Sequence, residues 1–392
     1  MEAIAVTRTR KRANNDFDLA VIGGGPAGAS AAITAARGGA RVLLLERGKL
    51  PRQRVCGEFV SAESIDLLAS LLGPADLLDG ALRIPEARLF FDGQVVSTLV
   101  EPSAASIARL DLDIMLWRSA EQAHVDARMQ TTVDTIAKTD DFHLSTSAGT
   151  FQARAVINAT GRWSNLRAQS AADSAAKEIG QKWLGVKAHF SEPDPHISVD
   201  LYFFDGGYCG VQPVTLAGHA TEEGGAAGVP ACRSKRVNAC AMVRSDIARS
   251  LPEVFALNPE LKRRAKAWRQ LGEAVTTSPL IFRDPAPVAG GILMTGDAAG
   301  FVDPFVGDGI SLALRSGALA AQSLIPFFKR QSSLEQVSSQ YGKDYNDRLL
   351  PVFRNSSKIR RLLSLPRPVR RSVGHILEAT PAFSRLFVRL TR

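Results

Sequence analysis

The sequence predicts an α/β protein in which a parallel sheet with helices is interleaved with a second domain built on an antiparallel sheet. Three observations carry this prediction. Residues 17–22 form a short apolar run that leads into a glycine-rich segment, the order typical of a buried parallel strand and its turn. Residues 291–300 repeat that order much later in the chain. Between them, residues 201–213 are typical of two strands joined at glycines.

The first glycine-rich segment matches the pattern G-x-G-x-x-G and precedes an Ala-rich helix predicted over residues 26–37. In this pattern the first glycine permits a tight turn, the second lets a pyrophosphate approach the backbone, and the third lets helix and strand pack closely. The N–H groups and positive dipole end of the helix would face the phosphates. The predicted phosphate-binding residues are Gly23, Gly25, Pro26, Ala27 and Gly28.

An acidic residue stands where such a site needs a ribose ligand. Residues 41–45 predict the next strand, and Glu46 follows at its carboxyl end, 18 residues after Gly28 (46 − 28). A carboxylate about 20 residues beyond the glycines can accept a hydrogen bond from a ribose hydroxyl. We assign Glu46 and the adjacent Arg47 to the same site. A glycine turn without a ligand is the alternative, but strand, helix, second strand and terminal acid together favour a dinucleotide.

A second set of motifs indicates which dinucleotide is bound. Residues 155–161 predict a third buried strand that ends at Gly161, and the strand at 291–294 delivers Asp297, whose carboxylate suits a hydroxyl-rich polyol. A helix predicted from Ile310 would direct its N–H groups at the pyrimidine edge of a flavin. Gly307 and Gly309 precede that helix. The need for this second segment points to FAD rather than NAD.

These motifs resemble the FAD-dependent oxidoreductases that share the p-hydroxybenzoate hydroxylase fold, and among them most closely the geranylgeranyl reductase branch. The resemblance covers about residues 16–317. It implies a glutathione-reductase-like Rossmann FAD domain interleaved with an antiparallel-sheet substrate domain, and C-terminal helices after both. The implied divisions are a disordered basic lead (1–15), the FAD domain (16–75, 106–175 and 280–335), the substrate domain (76–105 and 176–279) and a C-terminal basic helical segment (336–392).

The resemblance also implies roles for single residues. The first glycine loop and Glu46 would hold the ADP half of FAD, Gly161 would support its far side, and Asp297 would bind the ribityl chain. The turn from Gly307 to Gly309 would abut the ring. Two arginines complete the set: Arg109 opens a stretch similar to the family's R-x-x-φ-D-x-x-L motif, where φ is apolar, and Arg54, or alternatively Arg52, would bind phosphate.

Two differences favour the reductase branch over the aromatic hydroxylases. Hydroxylases of this fold usually carry a histidine after the Asp-Ala pair and a later G-Q-G, whereas this chain has Ala299 and the turn Gly307-Asp308-Gly309. We therefore expect FAD, once reduced, to act on an apolar organic or lipid-like substrate, with reduction of a carbon–carbon double bond as the first hypothesis. An FAD-dependent monooxygenase that uses NAD(P)H and oxygen is the second. A non-catalytic flavin-binding protein associated with membranes is the third.

Two candidate catalytic residues follow from the resemblance. Cys56, in a Cys-Gly pair common in the reductase branch, could tune the site, or it could be a small residue that merely fits near the ring. Tyr208 could supply a proton, or it could be a half-buried strand residue. It belongs to a stretch similar to G-Y-x-W-x-F-P, in which Gly210 and Gln212 replace the two large aromatics. His189 and His375 show no acid–base partner in the sequence, and we assign neither a role.

No second G-x-G-x-x-G follows a strand, so electrons are expected from transient NAD(P)H docking or an electron-carrier protein. Four cysteines show neither a C-x-x-C pair nor metal spacing, which predicts no metal site and fits a reducing, cytoplasmic setting. No apolar stretch approaches the ~20 residues that span a bilayer.

The net charge of +9 is concentrated at the C-terminus. Residues 353–392 contain ten Lys and Arg against Glu378 alone (10 − 1 = +9), so the rest of the chain is neutral overall. Apolar side chains in 382–392 recur at helical spacing. The segment could dock peripherally on the inner, anionic membrane face, or it could be a helix packed on its own protein. No nucleic-acid partner is expected, because the basic segment lacks a reading motif.

Overall fold

The computed structural model describes residues 15–73, 76–162, 182–215, 235–280, 282, 284–301 and 307–363. Within these residues the chain forms sixteen strands and nine α-helices. The strands are β1 (Asp16–Ile22), β2 (Val42–Leu45), β3 (Phe59–Val60), β4 (Leu82–Phe91), β5 (Gln94–Ser106), β6 (Asp126–Arg128), β7 (Val133–Lys138), β8 (Phe142–Thr146), β9 (Gly149–Asn158), β10 (Trp183–Ser191), β11 (Val199–Phe204), β12 (Gly207–Pro213), β13 (Arg236–Arg244), β14 (Arg269–Thr277), β15 (Val288–Ala289) and β16 (Ile292–Met294). The helices are α1 (Pro26–Arg37), α2 (Ile65–Leu72), α3 (Asp76–Asp79), α4 (Arg109–Gln122), α5 (Leu251–Ala256), α6 (Pro259–Ala265), α7 (Gly309–Phe328), α8 (Leu334–Arg348) and α9 (Leu350–Leu363).

The first sheet has the strand order β15-β16-β9-β1-β2-β6, and the hairpin β7–β8 extends it from β9. The strands β16, β9, β1, β2 and β6 run parallel to one another, whereas β15 and β8 pair antiparallel with β16 and β9. The central β1 and β2 are almost completely buried, which explains why their sequences are continuous apolar runs rather than alternating ones. Because the strands are parallel, their carboxyl ends meet at one edge of the sheet, where ligands bind in such folds.

The helices α1, α4 and α7 pack beside this sheet and share its main hydrophobic core. Small residues permit the closest approach: a Cβ placed on Gly317 of α7 would lie 2.1 Å from the backbone oxygen of Ala27 in α1. The helix α7 is, among the described residues, the only one long and apolar enough to span a membrane by length and composition, and 61% of the tested window is buried inside the protein. Its apolar character is therefore accounted for by core packing.

The second sheet has the order β14-β10-β13-β12-β11-β4-β5-β3 and is mainly antiparallel. Residues 201–213 form the hairpin β11–β12, as the sequence predicts. One face of this sheet packs on α5 and α6 through a separate core that includes Val186, Tyr202 and Val211. Alternate residues therefore point the other way, towards the edge of the first sheet.

The predicted α/β class, with its parallel and antiparallel sheets, is confirmed. The domain boundaries stay predictions. One short element differs from them: Phe59–Val60 lies in a segment assigned to the FAD domain, yet it pairs with β5 in the second sheet. Of the terminal segments, residues 1–14 and 364–392 lie outside the described residues.

Candidate active site

A cavity of about 700 Å³ lies between the two sheets and is lined by both glycine-rich segments. Gly23 and Gly25 form part of its wall, as do Asp297 and Gly309, although these residues are far apart in the chain. The cause is topological, because β1 and β16 both flank β9 in parallel and so present their following loops at the same edge. A volume of this size is typical of sites for small molecules and cofactors.

Nearly all the residues assigned to the site from the sequence lie on this wall. Gly28 is the exception, because it packs beneath the loop: a Cβ there would lie 1.8 Å from the backbone oxygen of Gly23. Its contribution is thus close packing of α1 on β1. The predicted residues on the wall are Gly23, Gly25, Pro26, Ala27, Glu46, Arg47, Arg54, Cys56, Arg109, Gly161, Tyr208, Asp297, Gly307, Gly309 and Ile310.

The first glycine loop is shaped by its backbone. Gly23 has φ +110°, a conformation that disfavours other residues, and its N–H donates to the oxygen of Leu45 at 2.7 Å. Gly25 precedes α1 without a capping side chain, and a Cβ on it would meet nothing within 4 Å. The N-terminal N–H groups of α1 therefore face open space on the cavity wall, which is the arrangement that binds phosphate.

Glu46 lies buried at the end of β2 and organises two loops. Its Oε2 accepts from the N–H of Gly24 at 2.8 Å, and its Oε1 accepts from the N–H of Gly48 at 2.8 Å and from Arg52 at 2.6 Å. An ionised carboxylate has about four acceptor positions. Three are used by the described residues, which leaves one for a ligand hydroxyl.

Arginine side chains give one part of the wall a positive charge. Arg109 is held by Asp113 through two hydrogen bonds of 3.0 and 2.9 Å. Burial opposes the charge of Arg109, but Asp113 and the nearby sulfur of Cys56 outweigh this and raise its pKa. The pKa of Arg54 is lowered by burial and by repulsion from Arg52 and Arg109. The buried Nε of Arg54 has no hydrogen-bond partner among the described residues, so this guanidinium suits an anionic ligand.

Asp297 follows β16 in a short 3-10 turn, Gly296–Ala298. Arg162 Nε lies 3.4 Å from Asp297 Oδ2, and the Arg162 guanidinium stacks 4.4 Å from the ring centre of Phe301. Burial raises the pKa of Asp297, while Arg162 and Arg109 act in the opposite direction. The carboxylate stays partly exposed to the cavity, as a group that accepts from ligand hydroxyls must.

The N-terminus of α7 forms the adjoining wall. Gly307 has φ +70°, and a Cβ there would lie 3.1 Å from the ring of Phe59. Gly309 begins the helix, and a Cβ on it would meet nothing within 4 Å. Next to this turn, the buried Asp308 accepts from Ser61 Oγ at 2.7 Å. Two helix N-termini, those of α1 and α7, thus border a single cavity.

These features fit FAD. The chain offers two open helix N-termini, a carboxylate with one spare acceptor, a second carboxylate towards the cavity and an arginine, Arg54, whose buried Nε has no hydrogen-bond partner among the described residues. A diphosphate, a ribose, a ribityl chain and a ring edge that gains negative charge require groups of these kinds.

The two candidate catalytic residues both lie on the cavity wall. Cys56 belongs to the segment 52–59, all eight residues of which line the cavity. Tyr208 is buried on β12 and packs near Met242 and Leu280. Gln212, on the same strand, occupies the position of an aromatic residue in the family, but its contacts are polar. Its Nε2 donates to the backbone oxygen of Glu58 at 3.0 Å and to Ser106 Oγ at 2.8 Å.

Sequence reasoning missed a buried ionic cluster behind this segment. Glu58 accepts from Lys187 Nζ at 2.5 Å, and its other carboxylate oxygen lies 2.8 Å from His189 Nε2. His189, to which the sequence assigned no role, therefore has a buried carboxylate partner. The partners are 129 and 131 residues apart in sequence and belong to different parts of the fold. The only local signal was a lysine and a histidine two residues apart in an otherwise apolar strand, which places both on one face.

The comparisons with known proteins agree with this geometry. Among relatives, the menaquinone reductase of Mycobacterium tuberculosis is 26% identical over 79% of this chain and 77% of its own length. Digeranylgeranylglycerophospholipid reductase 2 of Methanopyrus kandleri is 25% identical over 85% of this chain and 82% of its own length. Both relatives are reductases by name, and both align with most of the chain.

Solved structures show the same fold. A flavin-dependent brominase, Bmp2, superposes with a TM-score of 0.74 at 18% identity, covering 96% of this chain and 93% of its own. A geranylgeranyl bacteriochlorophyll reductase-like protein of Thermoplasma acidophilum superposes with a TM-score of 0.73 at 19% identity, covering 96% of each chain. A family model described as FAD dependent oxidoreductase matches residues 55–322, and another of the same description matches residues 18–61. The chain therefore belongs to the FAD-dependent oxidoreductases.

Proposed function

We propose that this FAD-dependent oxidoreductase reduces a carbon–carbon double bond in an apolar, lipid-like substrate. The observation that carries the proposal is the composition of the cavity wall on the second sheet. Beyond the residues that fit FAD, that wall consists mainly of aliphatic side chains from several strands. Its apolar members include Leu89, Val100, Leu201, Val275 and Leu280. Such a surface favours a substrate that buries hydrocarbon.

The relatives point in the same direction. Two of them are named for the reduction of menaquinone and of digeranylgeranylglycerophospholipid. Both of these substrates carry apolar polyprenyl chains. The brominase shares the fold at 18% identity and so says nothing about this reaction.

In this proposal the chain's own residues hold FAD in a fixed orientation. The N-terminus of α1, with Gly23, Gly25 and Arg54, would bind the pyrophosphate, and Glu46 would bind the adenosine ribose. Asp297 would bind the ribityl chain, and the N-terminus of α7 would face the ring. When bound, FAD supplies two-electron redox chemistry, and the protein supplies orientation and excludes water. Electrons would come from transiently bound NAD(P)H or from an electron-carrier protein.

The protein must also deliver a proton when a double bond is reduced. Tyr208 is suited to this because its buried side chain lies on β12 and lines the cavity. We propose the Tyr208 hydroxyl as the proton donor. Cys56 lies next to the Arg109 guanidinium. In this proposal its thiol would tune the environment of FAD and would not form a covalent bond with the substrate.

The decisive experiment separates the three hypotheses by product. FAD-loaded protein is reduced anaerobically with NADPH, NADH or dithionite and mixed with geranylgeraniol or a menaquinone, and the products are identified by mass spectrometry. The expected product gains two hydrogens in its hydrocarbon chain, without oxygen, and fragmentation distinguishes it from the quinol that forms when only the ring of a menaquinone is reduced. A product that gains an oxygen atom, and forms only in air, would support the monooxygenase instead. FAD that is neither reduced by nicotinamides nor reoxidised by any acceptor would support the non-catalytic protein.

A pair of tyrosine variants supplies the control. Tyr208→Phe is expected to lower kcat by about 100-fold, because general acid–base groups contribute rate factors of that order. Tyr202→Phe, on the neighbouring strand, removes a hydroxyl that contacts Arg264 on the side of the sheet away from the cavity, and kcat should stay unchanged.

A further inference from the structure

The segment from Arg52 to Phe59 lines the cavity without a break, yet it contains no helix and only the first residue of β3. It carries both Arg54 and Cys56. A segment of this kind needs an external support if its side chains are to keep fixed positions beside a cofactor. The structure shows where that support comes from.

Four side chains of the second sheet reach across to this segment. Lys187 Nζ donates to Gln53 Oε1 at 3.0 Å as well as to Glu58, and Asn238 Nδ2 donates to the backbone oxygens of Cys56 at 3.0 Å and Gly57 at 2.8 Å. His189 and Gln212 both contact Glu58. The four residues that hold the segment, Lys187, His189, Gln212 and Asn238, are each at most 4% exposed.

Strand register explains why these four side chains act together. Asn238 of β13 pairs with His189 of β10 on one side and with Gln212 of β12 on the other. Residues directly opposite one another in a sheet point to the same face, as do residues two apart in one strand. The four side chains therefore form one polar patch on the face towards the cavity, opposite the face that packs on α5 and α6.

Glu58 is the centre of this arrangement. It is completely buried with φ +62°, a backbone conformation that non-glycine residues seldom adopt and that persists only where the surroundings enforce it. Burial favours the neutral form of Glu58, but Lys187 and His189 outweigh this and lower its pKa to about 2. Its carboxylate also accepts from the N–H of Arg109 at 3.0 Å, at the first residue of α4. One ionised side chain thus joins the segment to both parts of the fold.

We propose that Lys187 and Asn238 are positioning residues for FAD: by holding residues 52–59 from the opposite sheet, they keep Arg54 and Cys56 in place on the cavity wall. The proposal depends on FAD binding by this chain and not on which substrate is reduced. Neither residue needs to contact the cofactor, since each acts through the segment that it holds.

The test measures two properties that a purely stabilising contact would leave unchanged. Lys187→Met and Asn238→Ala are compared with the wild type for the Kd of FAD, by absorbance titration, and for the alkylation rate of Cys56 by iodoacetamide, by peptide mass spectrometry. Both variants should weaken FAD binding and accelerate alkylation by about tenfold or more, because one or two buried hydrogen bonds are worth a factor of that order.

The matched control is Asn258→Ala. Asn258 is as buried as Asn238 and also makes two hydrogen bonds through its amide, with the N–H of Leu261 and the oxygen of Phe203, but it caps α6 away from the cavity. It should lower the unfolding midpoint without changing either measurement. If Lys187→Met does not fold because Glu58 loses its cation, Asn238→Ala decides, since it leaves no charge unpaired. Values within about twofold of the wild type for Asn238→Ala would overturn the proposal.

Discussion

The carboxyl group of Asp308 is buried at the start of α7, and its environment disfavours charge. Burial raises its pKa from 3.8 to about 6, against the hydrogen bond from Ser61 and the attraction of Arg315. One carboxylate oxygen has no hydrogen-bond partner among the described residues. Because the folded state binds this proton more tightly than the unfolded chain does, the contribution of Asp308 to stability falls as the pH rises from about 4 to about 6.

Asp308→Asn should remove this pH dependence. The shift of about two pKa units corresponds to about 3 kcal/mol, so the free energy of unfolding of the wild type, relative to the variant, should fall by about that amount between pH 4 and pH 7. Urea unfolding at both pH values measures it. Asp246→Asn is the control, because Arg244 lowers the pKa of that exposed carboxylate. The free energy of unfolding of the wild type, relative to Asp246→Asn, should therefore not fall as the pH rises. A difference for Asp308→Asn that does not depend on pH would show that this carboxyl stays ionised throughout.

At the scale of elements, the strand–turn–helix from β1 to α1 makes a prediction that separates fold from binding. Gly25 has φ −76° and a Cβ there meets no atom, so Gly25→Ala should fold with an unchanged unfolding midpoint. The added methyl group would occupy space on the cavity wall where phosphate approaches, and FAD binding should weaken by about 100-fold, as expected when about two hydrogen bonds to a charged group are lost. FAD titration and thermal unfolding of the apoprotein test both parts.

Gly28→Ala is the comparison at the same loop. Its Cβ would lie 1.8 Å from the oxygen of Gly23, so α1 or the loop must move, and the variant should lose stability as well as FAD affinity. If Gly25→Ala bound FAD as the wild type does, the N-terminus of α1 would not be the phosphate site.

These elements were predictable because their signals are local. The apolar runs of β1 and β2, the glycine spacing and the Ala-rich α1 each report on neighbouring residues, and the helix predicted over 26–37 is α1 to the residue. The support for residues 52–59 was not predictable in this way. Lys187 and Glu58 are 129 residues apart, and which side chains of β10 and β13 face the cavity depends on a register that no local pattern encodes.

At the scale of the molecule, the position of the cavity could be predicted from the sequence, but the residues that line it could be predicted only in part. Two motifs that each follow a parallel strand must meet at the carboxyl edge of the sheet, whatever their separation in the chain. The residues that form the opposite wall depend on how the strands of the second sheet pair with one another. Gln212 illustrates the gap: its sequence position suggested a change in the shape of the pocket, whereas its side chain holds Glu58 and the segment that carries Cys56.

The positive charge of the chain suits binding to an anionic membrane surface. All of the net charge of +9 belongs to residues 353–392, and a lipid-like substrate would be easiest to reach from a membrane. The full-length protein is therefore expected to sediment with phosphatidylglycerol vesicles at low salt, to be released at high salt and to ignore phosphatidylcholine vesicles, since each basic residue near an anionic surface contributes about 1 kcal/mol.

Paired charge reversals locate the effect. Replacing Arg370 and Arg371 by Glu should weaken binding to the anionic vesicles by at least about tenfold, because two favourable charges become repulsive. The same change at Lys262 and Arg263, an exposed basic pair on α6, should leave binding unaltered and so controls for net charge. Absence of sedimentation at either salt concentration would instead favour a C-terminal helix that packs on its own protein and keeps its basic face in solvent.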